Sequence, residues 1–312
     1  MLTLGTDDNK RLSIDTNQAI DDSSAFRLNV MVQEANVAER DVAQNRAIAI
    51  APAFAFGLNT PTKVYIYSQH TRQDNVPDGG IPTIGMKGFY NATAAIQAGA
   101  KVSRDNFYGS QQDYENVSAD MLSAKVEHQL NPNTVLRNTT RYGKSNVDRV
   151  LTGVNALSLN KTTQAIEANQ STLTTVVKTG NISHDFVFGL ELVKESQLNL
   201  GTTTGSTTGT NASVVVINGQ TLPVLSIVQN IYTPNSNQGF LVPYLTGANS
   251  DGSTTTTALY LFDTIIFNDN LKFNVGLRVD NYKTKTQAGT LVAGGTGTGT
   301  NLATYAPLGY KI

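Results

Sequence analysis

The side chains here that could do chemistry are not those of an enzyme. His70, His128 and His184 are the only histidines, and they lie far apart without the i, i+4 spacing of a metal pair. Cys is absent, which removes thiolate nucleophiles, thiolate metal sites and disulfides, while leaving the compartment open. No Gly-x-Ser-x-Gly elbow, phosphate-binding loop or His-Glu-x-x-His helix occurs. What remains is a concentration of cations and rings in one polar stretch, from Asp74 to about Glu115: Lys87, Phe89, Tyr90, Lys101, Arg104, Phe107, Tyr108 and Tyr114. Rings stack and cations pair, which is the chemistry of holding a ligand rather than changing it. Such rings also pack loops or mark a membrane interface, and that reading competes at every one of these positions.

These residues must be positioned by strands. Ile48, Ile50, Phe54, Phe56 and Leu58 alternate with Ala47, Ala49, Ala51, Ala53 and Ala55, and after Asn59-Thr60-Pro61 a second alternation starts at Lys63. A period of two sends successive side chains to opposite faces of a strand. Alternation and turn chemistry together predict about eleven strands, mostly in pairs. The first pair spans Asn9 to Gln18 and Ala25 to Glu34, and the Ala47 to Thr71 hairpin follows. Next come Val117 to Leu130 with Thr134 to Lys144, then Ser171 to Lys178 with Ser183 to Ser196. Thr255 to Phe267 with Leu271 to Thr284 form the fifth pair, and Thr304 to Ile312 is a last strand without a partner. Lys63, Tyr65, Tyr67 and Gln69 share one strand face, as do Arg278, Asp280 and Tyr282. In a barrel with the apolar face outward, these would face the lumen.

Short turns alternate with long polar connections, including Gly/Ser/Thr tracts at Gly201 to Asn211, Ser253 to Thr257 and Gly294 to Asn301, expected as mobile loops. Val214 to Ile217 and Leu222 to Val228 are expected as a small hairpin in the longest of them. This layout points to an all-β, antiparallel transmembrane barrel. Lys plus Arg is 23 against Asp plus Glu 24 in 312 residues, so no basic footprint for nucleic acid exists. A mean hydropathy of −0.20 suits strands that are apolar on one face only. No run of apolar residues is long enough for a spanning helix.

A resemblance adds to this. Asn17-Gln18, Phe26-Arg27-Leu28-Asn29, Glu39-Arg40-Asp41, Ile50-Ala51-Pro52, Phe56-Gly57-Leu58 and Gln73-Asp74-Asn75-Val76-Pro77-Asp78 occur in one order. They are followed by Arg104-Asp105-Asn106-Phe107-Tyr108-Gly109, Leu136-Arg137-Asn138-Thr139, Arg141-Tyr142-Gly143 and Gly276-Leu277-Arg278-Val279-Asp280. The series resembles the barrel of TonB-dependent siderophore receptors, particularly the ferric-catecholate group. The resemblance implies a receptor in the outer membrane of a Gram-negative bacterium. It also implies that the chain, residues 1 to 312, is a partial barrel domain, roughly half of a twenty-two-strand barrel. Signal peptide, energy-coupling box, plug and C-terminal strands are then expected outside it. Such a fragment alone would leave two open edges and would not transport. The implied partners are a ferric siderophore, the TonB complex and outer-membrane lipid, with iron carried only inside its ligand, no resident cofactor and no protein metal site. The loop cations and rings named above become candidate siderophore contacts, and Tyr65, Tyr67, Arg278 and Asp280 candidate lumen residues. A passive porin, an adhesin-like surface barrel or a truncated gene without function are the alternatives.

Overall fold

The computed structural model describes residues 1–88, 99–153, 157–203, 207–208, 211–212, 214–217, 220–223, 230, 232–237, 244–245, 247–290 and 301–311. Its main sheet has twelve strands: β1 (Leu2–Leu4), β2 (Lys10–Ala19), β3 (Ala25–Asn36), β4 (Gln44–Phe56), β5 (Thr62–Asn75), β6 (Tyr114–Asn131), β7 (Thr134–Thr152), β8 (Leu157–Thr179), β9 (Ile182–Asn199), β10 (Ser250–Asn268), β11 (Leu271–Thr290) and β12 (Asn301–Lys311). Each pairs antiparallel with the next, so the sheet is one continuous meander, and β1 and β12 stand at its open ends. No helix in the described residues is long and apolar enough to cross a membrane, which says nothing of strands.

The tightest connections, of two residues each at 132–133, 180–181 and 269–270, lie at one end of the sheet. Gly57 has φ of +68°, and a Cβ there would lie 2.1 Å from the Thr62 carbonyl oxygen, so only glycine closes that turn. Asn131 and Asn268 each accept a bond from the backbone N–H two residues on, the local closure that makes asparagine a turn former.

One face of the sheet is apolar and uncovered. Ile48, Ile50, Phe54 and Phe56 of β4 and Leu271, Phe273, Val275, Leu277 and Val279 of β11 are all exposed, with Leu277 at 68%. Phe26 and Phe54 meet across β3 and β4 with ring centroids 4.9 Å apart. Water would penalise a wall of this kind, and lipid would not. The band also tilts. Ile48 stands in register with Arg72, and that row runs through Ser118, Asn146, Thr163, Leu198 and Asp251 to Gln287. The apolar outward residues of β11 stop at Val279, nearer the short turns. The band slips by about one residue per strand, as tilted barrel strands require.

The opposite face is concave and polar. Two of its glycines make room for rings: a Cβ on Gly189 would lie 1.8 Å from the Tyr260 ring, and one on Gly276 would lie 2.0 Å from that of Phe262. Glycine in mid-strand serves here as a seat for a cross-strand aromatic.

The structure corrects several expectations. Ser253 to Thr257 is strand within β10 rather than loop, because Thr is a good strand former when both neighbours are paired. The last strand has a partner, β11. β8 begins at Leu157 rather than Ser171, and β1 is an addition. The small hairpin exists, but Val214–Ile217 pairs with Gln220–Pro223; residues 224–228 of its expected second strand lie outside the described residues.

Candidate ligand-binding mouth

At the end of the sheet opposite the short turns, the connection 37–43 between β3 and β4 and the connection 76–113 between β5 and β6 are tied together. Arg40 is the tie. Its Nε donates to Asp78 Oδ2 at 2.6 Å, and its Nη1 donates to the carbonyls of Glu39, at 2.8 Å, and of Arg104. Arg40 and Asp78 are only 15% and 19% exposed, so this guanidinium is held by both connections in a half-dry setting. Glu39, in the left-handed region at φ of +56°, sends its carboxylate to Arg104 Nε at 2.6 Å. Asp41 N–H donates to the Asp105 carbonyl.

A second knot lies at the base of the 76–113 connection. Asp113 is buried and accepts from Thr152 N, Thr152 Oγ1 and Ser110 N at 2.8, 2.8 and 3.2 Å. Burial pushes its carboxyl above the usual range, against the pull of those three donors. Gly109 fits because a Cβ would lie 2.4 Å from the Phe107 ring. Most of the fully buried side chains among the described residues lie around this knot rather than in the wall, Tyr108, Ser110 and Val150 among them. From here the connection reaches a further segment: Gln111 N–H donates to the Ser236 carbonyl at 2.9 Å, and Asn106 Nδ2 to that of Tyr232 at 3.4 Å.

Below the mouth, two register rows cross the concave wall. Lys63, Glu127, Arg137, Thr172, Gly189, Tyr260 and Arg278 form one, and Tyr65, Lys125, Thr139, Gln170, Glu191, Ala258 and Asp280 the next. Glu127 binds Arg137 at 2.8 Å and Lys125 at 3.4 Å, and the Lys125 ammonium lies 5.0 Å from the Tyr65 ring centre. Arg278 bridges Glu191 and Asp280 at 2.9 and 2.8 Å and lies over the Tyr260 ring. Nearer the mouth, the wall encloses a trough of about 680 Å³ lined by Met121, Ile166, Glu195 and Gln197 among others. Among the described residues no cluster of His, Asp or Glu could hold a metal ion.

Residues 54–312 match the family model described as "TonB dependent receptor-like, beta-barrel". The chain belongs to that family. It is 37% identical over 316 aligned positions to the catecholate siderophore receptor Fiu of Escherichia coli (strain K12), an alignment covering 93% of this chain and 39% of that receptor. The probable TonB-dependent siderophore receptor PiuA of Acinetobacter baumannii is 25% identical over 89% of the chain. The crystal structure of the ferric-catecholate import receptor Fiu from E. coli, closed form, superposes with a TM-score of 0.81 at 33% identity, covering all of this chain and 45% of that one. The chain thus spans less than half the length of the relatives it matches.

Within this family frame the sequence-predicted loop residues separate. Lys87 and Lys101 are exposed, and Arg104 is exposed but paired with Glu39. Phe107 and Tyr108 are 2% and 1% exposed and pack the knot, so they offer no surface to a ligand in this conformation. Tyr114 opens β6 and donates its hydroxyl to Asp148. Phe89 and Tyr90 lie outside the described residues. Tyr65, Tyr67, Arg278 and Asp280 sit on the concave face. Sequence reasoning passed over Arg40 and Asp113 as structural centres. The Glu39-Arg40-Asp41 triplet was a visible signal, whereas nothing local to Asp113 announces its partner at Thr152.

Proposed function

We propose that the protein carrying this chain imports a ferric siderophore of the catecholate class across the outer membrane of a Gram-negative cell, with energy delivered through TonB. The observation that carries this reading is the 37% identity to a catecholate siderophore receptor across almost the whole chain. The architecture suits it: an apolar outer wall for lipid, a polar inner wall for an aqueous path, and tied connections at one end to form a mouth. Exposed Lys87, Lys101 and Arg104 are the side chains we assign to the first encounter with an anionic chelate. Iron enters as cargo inside its ligand, no covalent step is made, and nucleic acid has no part. By family resemblance, loops capture the chelate, a plug holds it, and a pull on a coupling box opens the path.

The test is radiolabelled ferric-catecholate uptake by iron-starved cells with and without the complete gene. Loss of uptake on deletion, restored by the gene in trans, is expected; undiminished uptake would overturn the proposal.

A further inference from the structure

The outward face of β11 is apolar from Leu271 to Val279, but β7 and β8 interrupt the wall. Leu136 and Leu173 stand in register on that face, and the two outward rows above them, toward the mouth, are polar: Asn138 with Ser171, then Thr140 with Asn169. These four side chains bind one another. Asn138 Nδ2 donates to Asn169 Oδ1 at 3.1 Å and to Ser171 Oγ at 2.8 Å, and Asn169 Nδ2 donates to Asn138 Oδ1 at 3.2 Å and to Thr140 Oγ1 at 2.7 Å. Val126 and Ala124 of β6 flank this island on one side and Leu190 and Leu192 of β9 on the other, so it lies within the lipid-facing band and not beyond its edge. Toward the mouth it is closed by Tyr142 and Glu167, with Glu167 in register with Lys194, and Lys144 follows on β7; the island itself carries no charge. A hollow of about 450 Å³ adjoins it, lined by Leu136, Leu173, Phe188, Leu190 and Ser171 among others, so the wall is indented there.

We propose that the outward face of β7 and β8, centred on Asn138 and Asn169, is a contact surface between two copies of this receptor within the membrane. Hydrocarbon offers these groups nothing to bind, whereas polar side chains hold spanning segments together where two protein surfaces meet. Mutual bonding lets the island stand in a single copy, yet Ser171 accepts one bond and donates none among the described residues, and Asn169 Oδ1 keeps a lone pair. The chemistry also selects the occupant. A two-fold axis along the membrane normal sets each group opposite its own equivalent at its own depth. A charged patch would repel itself in that arrangement, but an amide both donates and accepts and is therefore complementary to a second amide. The adjoining hollow leaves room for apolar side chains of the second copy. The proposal rests on the membrane-spanning reading above and is independent of which chelate is carried.

The test co-expresses two differently tagged copies of the complete gene and dissolves the outer membrane into native lipid particles with a styrene–maleic acid polymer. Capture through one tag should recover the other. Asn138→Leu/Asn169→Leu, which suits lipid better than the native pair, should recover about tenfold less, whereas Phe54→Leu/Phe56→Leu on β4 should match wild type. Heat-dependent gel mobility reports folding, and if the asparagine double variant does not fold, Asn169→Leu alone carries the comparison. The chain has no cysteine, so a benzophenone can be placed beside the island through Tyr142→Cys. Illumination should then give an adduct of twice the receptor's mass, and the same label at Ile48→Cys on β4 should not. Equal recovery by wild type and the asparagine variant, or equal adducts from the two labels, would overturn the proposal. So would labelling of lipid alone, and so would an adduct with a protein of different mass, which would mark a foreign partner on this face. Uptake measured in the same cells separates the two readings: association lost with uptake kept supports this surface alone, and association kept with uptake lost breaks only the siderophore reading.

Discussion

The knots at the mouth and the ion pairs on the inner wall have nearly the same bond lengths and very different settings. Arg40 and Asp78 meet at 2.6 Å with their side chains mostly buried, whereas Arg278 and Glu191 meet at 2.9 Å with 37% and 25% of theirs exposed. Removing one partner in the first setting strands a half-buried charge; in the second, water takes its place. The mouth is thus held by its polar groups, while the wall is held by its backbone ladder and keeps its ion pairs within reach of water. The same contrast explains why the buried side chains gather near Asp113 and not in the wall, which has lipid on one side and the lumen on the other.

The largest expected effect is at Asp113. Asp113→Ala leaves Thr152 N–H and Ser110 N–H buried without an acceptor and should cost the 76–113 connection about 2–3 kcal/mol of local stability. Hydrogen exchange or limited proteolysis within 99–113 measures this; protection equal to wild type would break the contrast. The same residue predicts a pH dependence. Its carboxyl is held above its ordinary value by burial, so the folded knot binds the proton more tightly than the unfolded segment does. The contribution is full below the unfolded value, about 3.9, and is lost as pH rises through the folded one. Exchange protection, corrected for intrinsic rates, should fall from acid toward neutral pH in wild type and lose that slope in Asp113→Asn.

Arg40→Ala should come next, at about 2 kcal/mol, opening protease sites between residues 78 and 104, with Arg40→Lys a poor substitute because one ammonium cannot span both connections. Gly189→Val should cost about 1–2 kcal/mol by driving Tyr260 off its seat, read as a lowered unfolding midpoint in detergent. Glu127→Gln and Asp280→Asn should be smallest, within about 1 kcal/mol of wild type. A loss there as large as at Asp113 would mean that the wall's charges are structural after all.

Much of this was legible in the residues themselves. Leu271 to Asp280 alternate so cleanly that face and strand follow from a period of two, and Asn268-Asp269-Asn270 announces its turn. Leu157 to Gln170 escaped because five polar residues in a row, Asn160-Lys161-Thr162-Thr163-Gln164, interrupt its alternation. Phe107 and Tyr108 look like ligand contacts in sequence because rings and cations are adjacent there. Burial, which separates packing rings from binding rings, depends on what folds over them.

Alternation and turn chemistry are local, so the sequence by itself determined which side chains face lipid and where the chain reverses. It did not determine who meets whom across the sheet. Arg278 finds Glu191, Asp113 finds Thr152, and Gln111 finds Ser236 only once strand register and loop packing bring together residues far apart in the chain. The tilt of the apolar band is a property of the same kind. It keeps Asn138 and Asn169 within the lipid-facing band, because strand inclination is set by the curved sheet as a whole and by no strand alone.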